Sequence, residues 1–353
     1  MSPFRFMLVG CGARGKVWTE VADRVEDVDI ASFVDVNESN AGALAVPRRR
    51  QAFTKLDEAA EQTRPDAVLV ATPPQDHPAV IEFALRRGLP ILAEKPLAEE
   101  MSLAVSLVER AEEAGVPLSL SVQFRYLPVS LKIRQILADG RYGKPAFGQF
   151  TYLRNRDPYA PHLNWGTRYP VRVHHPMLVD QTIHHFDLIR YCYRAEPVWI
   201  QANTWNPAWS LYGHDSNVAS FMELEGGVRV QYLGTWTGGW NRLCFEWRTD
   251  CEHGIVTQRQ LDSDLCTAAT GDPDLTPVPL ETFAGAHEDS LRLLRLFVDS
   301  VRARQPVPCD GRDHLQTLAM VFAAMESNET GRRVDMEVFR RRHGIPEPPR
   351  PVS

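Results

Sequence analysis

The 353-residue sequence lacks long apolar runs, closely spaced cysteine pairs and any excess of basic residues. No apolar stretch approaches the roughly 20 residues that a membrane-spanning helix needs, and the start of the chain lacks the charged segment and cleavage site of a signal peptide. The six cysteines include no CxxC pair, so we expect reduced thiols in a cytoplasmic protein. The formal net charge is -6 at pH 7, and we therefore expect neither nucleic acid nor a membrane as a partner.

The apolar patterns divide the sequence into two parts. At roughly 100–200 residues per domain, the length predicts two domains. Residues 1–123 alternate short apolar strands with helical segments, which predicts βαβ units and a parallel sheet. Residues 124–345 begin with a helix candidate over 128–138 and then contain mostly strands, which are interrupted by one helix near 177–193 and followed by closing helices at about 288–327. This pattern predicts a mostly antiparallel sheet with helices on one face, followed by a flexible tail over residues 346–353.

A glycine-rich turn lies near the start of the chain. Residues 10–15 read GCGARG, which has the G-x-G-x-x-G spacing of a dinucleotide-binding turn. The turn follows the strand candidate Phe4–Val9 and opens a helical segment, which is the context that dinucleotide binding requires. The first glycine permits a tight turn, the second lets the backbone approach a pyrophosphate, and the third lets the helix pack on the strand. The residues assigned to the cofactor here are Gly10, Gly12, Ala13, Arg14 and Gly15.

Asp35 ends the second strand candidate, 20 residues after Gly15. A carboxylate at this position can accept hydrogen bonds from the adenosine ribose hydroxyls and would repel a 2′-phosphate. Arg48–Arg50 lie further along and could meet such a phosphate, although a solvated loop cluster is the favoured interpretation. The sequence therefore predicts NAD in preference to NADP.

Four further motifs carry a resemblance to a known family. Residues 71–74 read ATPP at the end of a strand candidate and are followed by His77, and residues 94–96 read EKP at the end of the next strand candidate. Residues 123–126 read QFRY, and residues 180–187 read DQTIHHFD, which fits the pattern DxxxHxxD. Together with the glycine turn, these motifs resemble the glucose–fructose oxidoreductase / inositol dehydrogenase / MocA family over nearly the whole chain.

The resemblance implies an α/β fold with an N-terminal Rossmann domain, whose parallel sheet is doubly wound, and a C-terminal α+β domain with a large open, mostly antiparallel sheet. It also implies an NAD-dependent oxidoreductase that acts on a hydroxyl or carbonyl group of a sugar, an inositol or a related polyol. In the family pattern the catalytic group consists of the EKP lysine with the Asp and His of DxxxH, which match Lys95, Asp180 and His184. Further cofactor contacts are assigned to Thr72, Pro73, His77, Glu94 and Lys95.

Oxidation of a secondary alcohol requires a hydride acceptor and a base for the hydroxyl proton. The nicotinamide supplies the acceptor, and an imidazole is well suited to act as the base near neutral pH. We expect His184 to be that base, and Lys95 to hydrogen-bond the reacting oxygen and stabilise alkoxide charge. Asp180 lies four residues before His184, on one face of an α-helix, and would orient its neighbours. The alternatives are that Asp180 and His184 are an ordinary pair on a helix surface and that Lys95 is a solvated lysine.

Other polar residues lie in the same helix or just before it, and their roles are open. Asp187 lies one turn beyond His184 and is left open between a functional and a structural role. His185 faces another side of the helix, where a structural role is favoured over a substrate contact. His174 and His175 raise the question of a metal, but their spacing fits no common zinc pattern and we predict no metal.

The segment between Arg154 and His175 is rich in arginine, aromatic and proline residues, which suits recognition of sugar hydroxyls and ring faces. Packing against the sheet or another subunit is the alternative for each aromatic residue. Two departures from the family pattern lie beside Asp180, where residues 174–176 read HHP and Thr182 replaces a glycine, so we expect a reshaped substrate pocket. The residues assigned to the substrate are Arg125, Arg156, Tyr159, Trp165, Arg168 and His185.

Three functions stay open at this point. The first is a sugar or polyol dehydrogenase or reductase, and the second is a glycoside-cleaving or eliminating enzyme that oxidises its substrate transiently. The third is a non-catalytic NAD-binding regulator, against which the presence of Lys95 and His184 argues. An open sheet exposes one apolar face unless a partner covers it, so we expect a homodimer or homotetramer formed through that sheet.

Overall fold

The computed structural model describes residues 2–156, 174–283 and 285–347. These residues form two compact units that are discontinuous in sequence. The first unit comprises residues 2–123 and 285–315, and the second comprises residues 124–156, 174–283 and 316–347.

Strands and helices alternate in the first unit, and strands dominate the second. The strands are β1 (Phe4–Val9), β2 (Val28–Val34), β3 (Gln51–Phe53), β4 (Ala67–Val70), β5 (Ile91–Glu94), β6 (Leu118–Ser121), β7 (Pro145–Leu153), β8 (Pro197–Trp205), β9 (Asn217–Leu224), β10 (Arg229–Thr235), β11 (Cys244–Cys251), β12 (Gly254–Gln258), β13 (Leu265–Ala269), β14 (Thr276–Pro277) and β15 (Val334–Asp335). The α-helices are α1 (Ala13–Ala22), α2 (Glu38–Ala45), α3 (Leu56–Thr63), α4 (His77–Arg86), α5 (Met101–Glu113), α6 (Pro128–Ala138), α7 (Ile183–Tyr193), α8 (Glu288–Ala303), α9 (Gly311–Thr330) and α10 (Met336–Arg342).

The first unit is built on a parallel sheet with the strand order β3-β2-β1-β4-β5-β6. All neighbouring strands in it are parallel, and this order is that of the doubly wound dinucleotide-binding fold. The predicted Rossmann domain is therefore confirmed. Because parallel strands end at the same edge, the glycine turn, Asp35, Thr72 and Lys95 all follow the carboxyl ends of strands on that edge.

The elements α2 and β3 were not predicted from the sequence. Only Ala41 and Ala45 are buried in α2, so the helix shows little apolar periodicity. Its start is fixed locally, because the Asn37 side chain accepts a hydrogen bond from the Ser39 N–H. The strand β3 has three residues at the edge of the sheet, which is too short for an alternating pattern.

The second unit is built on a nine-stranded sheet with the order β14-β13-β12-β11-β7-β10-β9-β8-β15. The pair β7–β10 is parallel and the other pairs are antiparallel, which confirms the mostly antiparallel sheet. A tight turn at Glu225–Gly227 joins β9 to β10. Gly226 and Gly227 have φ angles of 80° and 87°, a left-handed backbone that favours glycine.

One face of this sheet is covered by α7. Buried and exposed residues alternate along β7, and Phe150 and Tyr152 point to the covered face. From the helix, the rings of His185 and Phe186 lie 4.8 Å from Phe150 and 5.4 Å from Tyr232, respectively. The opposite face of β7 carries its exposed and half-buried positions.

The first closing helix, α8, belongs to the first unit, which corrects the predicted second domain of residues 124–345. Phe297 is fully buried, and its ring lies 5.9 Å from the ring of Phe6 in β1. At the start of the helix, Glu288 accepts a hydrogen bond from Arg24 of the loop after α1. An amphipathic helix buries its apolar face against any matching surface, so its position in the sequence does not decide which sheet it covers.

The described residues also bear on three simpler predictions. Within them, no helix combines the length and the apolar character needed to cross a membrane. All six cysteines are free. Of the predicted tail, residues 348–353 lie outside the described residues, whereas the Pro346 carbonyl accepts a hydrogen bond from Gln316 Nε2 at 2.8 Å.

Candidate active site

The glycines after β1 are placed where side chains would interfere with close packing or with a ligand. Gly10 has a φ of 92°, and a Cβ there would lie 2.5 Å from the carbonyl carbon of Ala71. A Cβ on Gly15 would lie 2.1 Å from the Gly10 carbonyl oxygen. A Cβ on Gly12 would meet no atom of the described residues within 4 Å, so this side of the turn is open. Only glycine fits at the first and third positions, and the second leaves room for a phosphate.

The Asp35 carboxylate is held beside the glycine turn. Its Oδ2 accepts a hydrogen bond from the Cys11 N–H at 2.8 Å, and its Oδ1 accepts one from the Asn37 N–H at 2.8 Å. The side chain of Asn40 donates a longer bond of 3.4 Å to Oδ1. Because a carboxylate offers about four acceptor sites, Asp35 can still accept bonds from ribose hydroxyls.

The arginines further along the chain form ion pairs of their own. Arg48 Nη2 lies 2.6 Å from Asp23 Oδ2, and Arg50 Nη2 lies 2.8 Å from Asp29 Oδ1. All four side chains are partly exposed. These contacts favour the solvated loop cluster over a binding site for a 2′-phosphate.

The same edge of the sheet has polar groups that fit a dinucleotide. The helix α1 begins at Ala13 with Gly12 as its N-cap, and no side chain of the described residues caps it. Its first N–H groups can therefore bind a pyrophosphate. The Thr72 hydroxyl, just before Pro73, is buried and has no hydrogen-bond partner among the described residues. Buried hydroxyls are normally paired, so a bound ligand would complete this site.

Arg14 and Glu94, both predicted to contact the cofactor, contact each other. Glu94 Oε1 accepts hydrogen bonds from Arg14 Nε at 2.8 Å and from Trp18 Nε1 at 2.8 Å. Glu94 is only 5% exposed, and these donors offset the cost of burying its charge. The two residues thus brace α1 against the position before Lys95, and their direct contact with a cofactor stays a prediction.

His77 is buried between two loops, and its predicted contact with the cofactor stays a prediction. Its ring is fully buried, with Nδ1 2.9 Å from the Pro96 carbonyl oxygen and Nε2 2.9 Å from the Thr72 carbonyl oxygen. Burial is the largest influence on this imidazole and lowers its pKa, so the neutral ring donates to one of the two carbonyls. With both nitrogens facing protein carbonyls, His77 joins the two loops that follow β4 and β5.

Lys95 lies between the braced carboxylate of Glu94 and a cis Lys95–Pro96 peptide bond. Its side chain is half-buried at the carboxyl end of β5. Contacts on both sides of it therefore restrain the loop, because the Glu94 carboxylate accepts hydrogen bonds from the first helix and the Pro96 carbonyl oxygen faces His77 Nδ1.

The helix that carries Asp180 and His184 differs from the predicted continuous α-helix. Residues Met177–Thr182 form a π-helical turn, and α7 begins at Ile183. Because a π-helix takes more residues per turn, four residues span just under one turn, and Asp180 stays near the face that carries His184. His184 is 6% exposed, and its ring stacks on Phe124 with the centroids 4.5 Å apart.

Arg156, predicted to contact the substrate, lies beside Asp180. Its Nη1 is 3.5 Å from Asp180 Oδ2, and its guanidinium carbon lies 4.5 Å from the centre of the Trp236 ring. Burial lowers the pKa of this guanidinium, whereas Asp180 opposes that shift. The sequence did not indicate this pairing, because Arg156 and Asp180 are 24 positions apart in the chain.

His185 is part of the core, which fits the structural role that the sequence favoured over a substrate contact. It is fully buried, its Nδ1 lies 2.9 Å from the Tyr232 hydroxyl, and its Nε2 lies 3.1 Å from Gln181 Nε2. The hydroxyl of Thr182 also lies 2.9 Å from the Tyr232 hydroxyl. The Thr182 side chain thus contacts Tyr232 of the sheet. This contact does not test the expectation that Thr182 reshapes the substrate pocket.

The buried His185 should make stability depend on pH. Burial lowers its pKa from 6.5 to about 3, so the unfolded chain takes up a proton below pH 6.5 while the folded chain does not. The free energy of unfolding should therefore fall between pH 6.5 and pH 4 by an extra 1.4 kcal/mol or so per pH unit, roughly the value of one proton. Urea unfolding of the wild type and of His185→Gln should show a shallower pH dependence in the variant.

The control for this measurement is His253→Gln, since His253 is exposed in the turn between β11 and β12. This variant should keep the wild-type slope. An unchanged slope in His185→Gln would contradict the account, whatever the stability of that variant at pH 7.

Arg125 anchors α7 through a buried ion pair, and its assignment to the substrate stays a prediction. Its Nε and Nη2 donate to the two carboxylate oxygens of Asp187 at 2.6 and 2.5 Å, and Asp187 also accepts from Thr317 Oγ1 at 2.9 Å. Arg125 and Asp187 are 7% and 1% exposed. This buried pair fixes the segment that carries Phe124 against α7, so the open question about Asp187 is answered in favour of anchoring.

The histidines before the π-helical turn form local contacts. His174 lies 3.9 Å from the ring of His214, and His175 Nδ1 lies 3.2 Å from Thr204 Oγ1 and 3.7 Å from Asp215 Oδ2. Among the described residues, no group of three or more His, Cys, Asp or Glu side chains is arranged to hold a metal ion.

Three residues assigned to the substrate lie outside the described residues. They are Tyr159, Trp165 and Arg168.

Comparisons with known proteins agree with the two units. Residues 4–122 match the profile of an oxidoreductase family with an NAD-binding Rossmann fold, GFO/IDH/MocA, and residues 130–256 match the GFO/IDH/MocA C-terminal domain. A D-apiose dehydrogenase of Paraburkholderia graminis is 26% identical over 357 residues, covering 95% of this chain and 90% of the relative. An inositol 2-dehydrogenase of Corynebacterium glutamicum is 28% identical over 234 residues, covering 64% of this chain and 65% of the relative.

The fold is also that of a solved structure. An oxidoreductase from Agrobacterium radiobacter, in complex with NAD+, L-tartaric acid and magnesium, superposes with a TM-score of 0.87. The match covers 96% of this chain and 99% of the other, at 20% sequence identity.

Proposed function

The chain belongs to the GFO/IDH/MocA oxidoreductase family, and we propose that it transfers a hydride between NAD and a hydroxyl-bearing carbon of a sugar, an inositol or a related polyol. The observation that carries this proposal is the set of groups at the carboxyl edge of the parallel sheet. The open glycine turn, the Asp35 carboxylate, the buried Thr72 hydroxyl and Lys95 all lie there.

We assign the binding of NAD to the groups at this edge. The N–H groups at the start of α1 would bind the pyrophosphate, with Gly12 leaving room for it. Asp35 would accept hydrogen bonds from the adenosine ribose, and Thr72 would pair its buried hydroxyl with the bound nucleotide. When bound, NAD supplies the hydride acceptor or donor.

Asp35 should decide the preference between the two nicotinamide cofactors. Replacing Asp35 with serine removes a negative charge that repels a 2′-phosphate and two acceptors for the ribose. We expect kcat/KM for NAD to fall at least tenfold, which corresponds to about 1.4 kcal/mol, and the ratio of NAD to NADP efficiency to fall further. Steady-state kinetics with both cofactors measures this.

Asp29→Ser is the matched control, since Asp29 is paired with Arg50 at the start of β2, and its ratio should not change. An Asp35→Ser variant that discriminates between the cofactors as strongly as the wild type would contradict the assignment.

We assign acid–base catalysis to His184. In oxidation, its imidazole would take the proton of the reacting hydroxyl, and in reduction it would return it. Stacking on Phe124 restricts the orientation of the ring, which favours proton transfer along one direction. Lys95 would donate a hydrogen bond to the same oxygen and stabilise the alkoxide as it forms.

Asp180 would control the charge beside the reacting oxygen. Its carboxylate faces the Arg156 guanidinium at 3.5 Å, so its negative charge is partly balanced. A partly balanced carboxylate can orient an ammonium or an imidazole without competing for the substrate proton. We therefore propose an orienting role for Asp180 in catalysis.

The substrate class is supported by the relatives. The matched proteins include dehydrogenases named for apiose and for inositol, which are both polyhydroxylated compounds. We also propose self-association through the outer face of the nine-stranded sheet, since Phe147 and Phe221 on that face are both more than one-third exposed.

The proposal is tested by incubating the purified chain with NAD and a panel of inositols, aldoses, alditols and sugar acids. NADH is followed by its absorbance. We expect NADH to accumulate with at least one of these compounds and NADP to support a slower reaction. Consumption of a glycoside without accumulation of NADH would instead indicate transient oxidation, and a chain that binds no pyridine nucleotide would contradict the proposal.

A further inference from the structure

The loop that carries Lys95 is held by two buried histidines from different parts of the chain. His77 Nδ1 lies 2.9 Å from the Pro96 carbonyl oxygen, and the Leu97 N–H donates a hydrogen bond to His314 Nε2 at 3.4 Å. Both rings are fully buried. The peptide groups immediately after Lys95 are thus fixed from two sides.

His314 reaches this loop because the chain remains in the first unit after α8, up to Leu315. The Leu120 N–H donates to the Cys309 carbonyl at 2.9 Å, and Ser119 forms an isolated bridge with Asp310. This segment thereby covers the edge strand β6. A Cβ on Gly311 would lie 2.8 Å from a side-chain methyl of Val108, so the approach requires glycine there.

The start of α9 then fixes the His314 ring. Asp310 is placed as a cap, because its Oδ1 accepts a hydrogen bond from the Asp313 N–H at 2.9 Å. The Asp310 carbonyl accepts a bond from the His314 N–H at 3.0 Å. To accept from Leu97, Nε2 must be the unprotonated nitrogen of the ring, so the proton is on Nδ1.

We propose that His314, together with His77, is a positioning residue that sets the place of the Lys95 ammonium group. The inference rests on the proposed role of Lys95. It adds His314, which lies more than 200 positions along the chain from Lys95 and belongs to none of the sequence motifs. A displacement of about 1 Å at a catalytic group can cost about 100-fold in rate. Loss of the Leu97 bond should therefore lower kcat while the distant nucleotide contacts stay intact.

Two substitutions separate the effect of the hydrogen bond from the effect of packing. His314→Leu keeps a side chain of similar size but removes the hydrogen-bond acceptor. His314→Gln keeps an acceptor at about the position of Nε2. We expect His314→Leu to lower kcat by about 10- to 100-fold with less than a twofold change in the KM for NAD. We expect His314→Gln to recover most of that loss.

A second measurement does not depend on activity. Acetic anhydride acylates lysine amines, and mass spectrometry measures the rate of acylation at each lysine. The quantity compared is the acylation ratio, which is the rate at Lys95 divided by the rate at the exposed Lys144. We expect this ratio to change at least threefold in His314→Leu and to return towards the wild-type value in His314→Gln. This result would support the positioning of Lys95 even if the proposed oxidoreductase activity failed.

The control is Leu315→Ala, which removes buried apolar volume from the same helix turn and keeps the His314 side chain in place. It should lower Tm and leave both kcat and the acylation ratio unchanged. The inference is overturned if folded His314→Leu has the wild-type kcat and ratio. It is also overturned if His314→Gln is impaired as much as His314→Leu, or if the KM for NAD rises as much as kcat falls.

Discussion

Lys95→Met should lower kcat by about 100- to 1,000-fold, the typical loss when one donor to a developing oxyanion is removed. Methionine keeps the length of the side chain and removes the ammonium group. Because Glu94 and His77 hold the backbone on either side, the substitution should not disturb the loop. The affinity for NAD, measured by fluorescence titration, should change less than threefold.

The matched control is Lys144→Met, because Lys144 is exposed just before β7. It should keep wild-type kinetics. Retention of more than one-tenth of kcat by Lys95→Met would show that the ammonium group does not stabilise the reacting oxygen.

His184→Asn should lower kcat by about 100- to 10,000-fold, which is the range for loss of a general acid or base. Asparagine has a similar shape and can stack on Phe124, but it cannot take up a proton near neutral pH. The part of the pH profile that the base produces should therefore disappear along with the rate. Initial rates between pH 5 and pH 9 measure both effects.

His253→Asn serves as the control for this variant, since His253 is exposed in the turn between β11 and β12. If His184→Asn kept the wild-type pH profile at a reduced rate, another group would be the base. The role of His184 would then be limited to packing against Phe124.

The features that the sequence predicted best are local. The G-x-G-x-x-G turn and Asp35 depend on the order strand, turn, helix, strand, and each step is encoded within about ten residues. The parallel sheet of the first unit could therefore be predicted, whereas the contacts of these residues with the cofactor stay a prediction.

The contacts that the sequence did not predict join residues that are distant in the chain. His77 and Arg125 carry polar side chains next to recognised motifs, and the sequence suggested ligands for both. In the folded chain His77 faces two carbonyls, and Arg125 is paired with Asp187 across 62 positions. No local pattern states where a buried polar group finds its partner.

The departures in helix geometry and domain boundary have a similar cause. The π-helical turn at Met177–Thr182 spans only six residues, which is too few for apolar periodicity to distinguish it from an α-helix. The helix α8 has a clear apolar face, but only the packing of Phe297 on Phe6 reveals that it belongs with the first sheet. His314 gave no signal in the sequence for the same reason.

The most direct test of the central claim is the transfer of deuterium to NAD. The chain is incubated with NAD and fully C-deuterated forms of the sugars and polyols in the panel, and the nicotinamide product is analysed by mass spectrometry. We predict NADH that carries one deuterium from the substrate carbon, with the transfer lost in Lys95→Met and His184→Asn. Turnover that leaves every deuterium on the sugar, or releases it to water, would contradict hydride transfer by this protein.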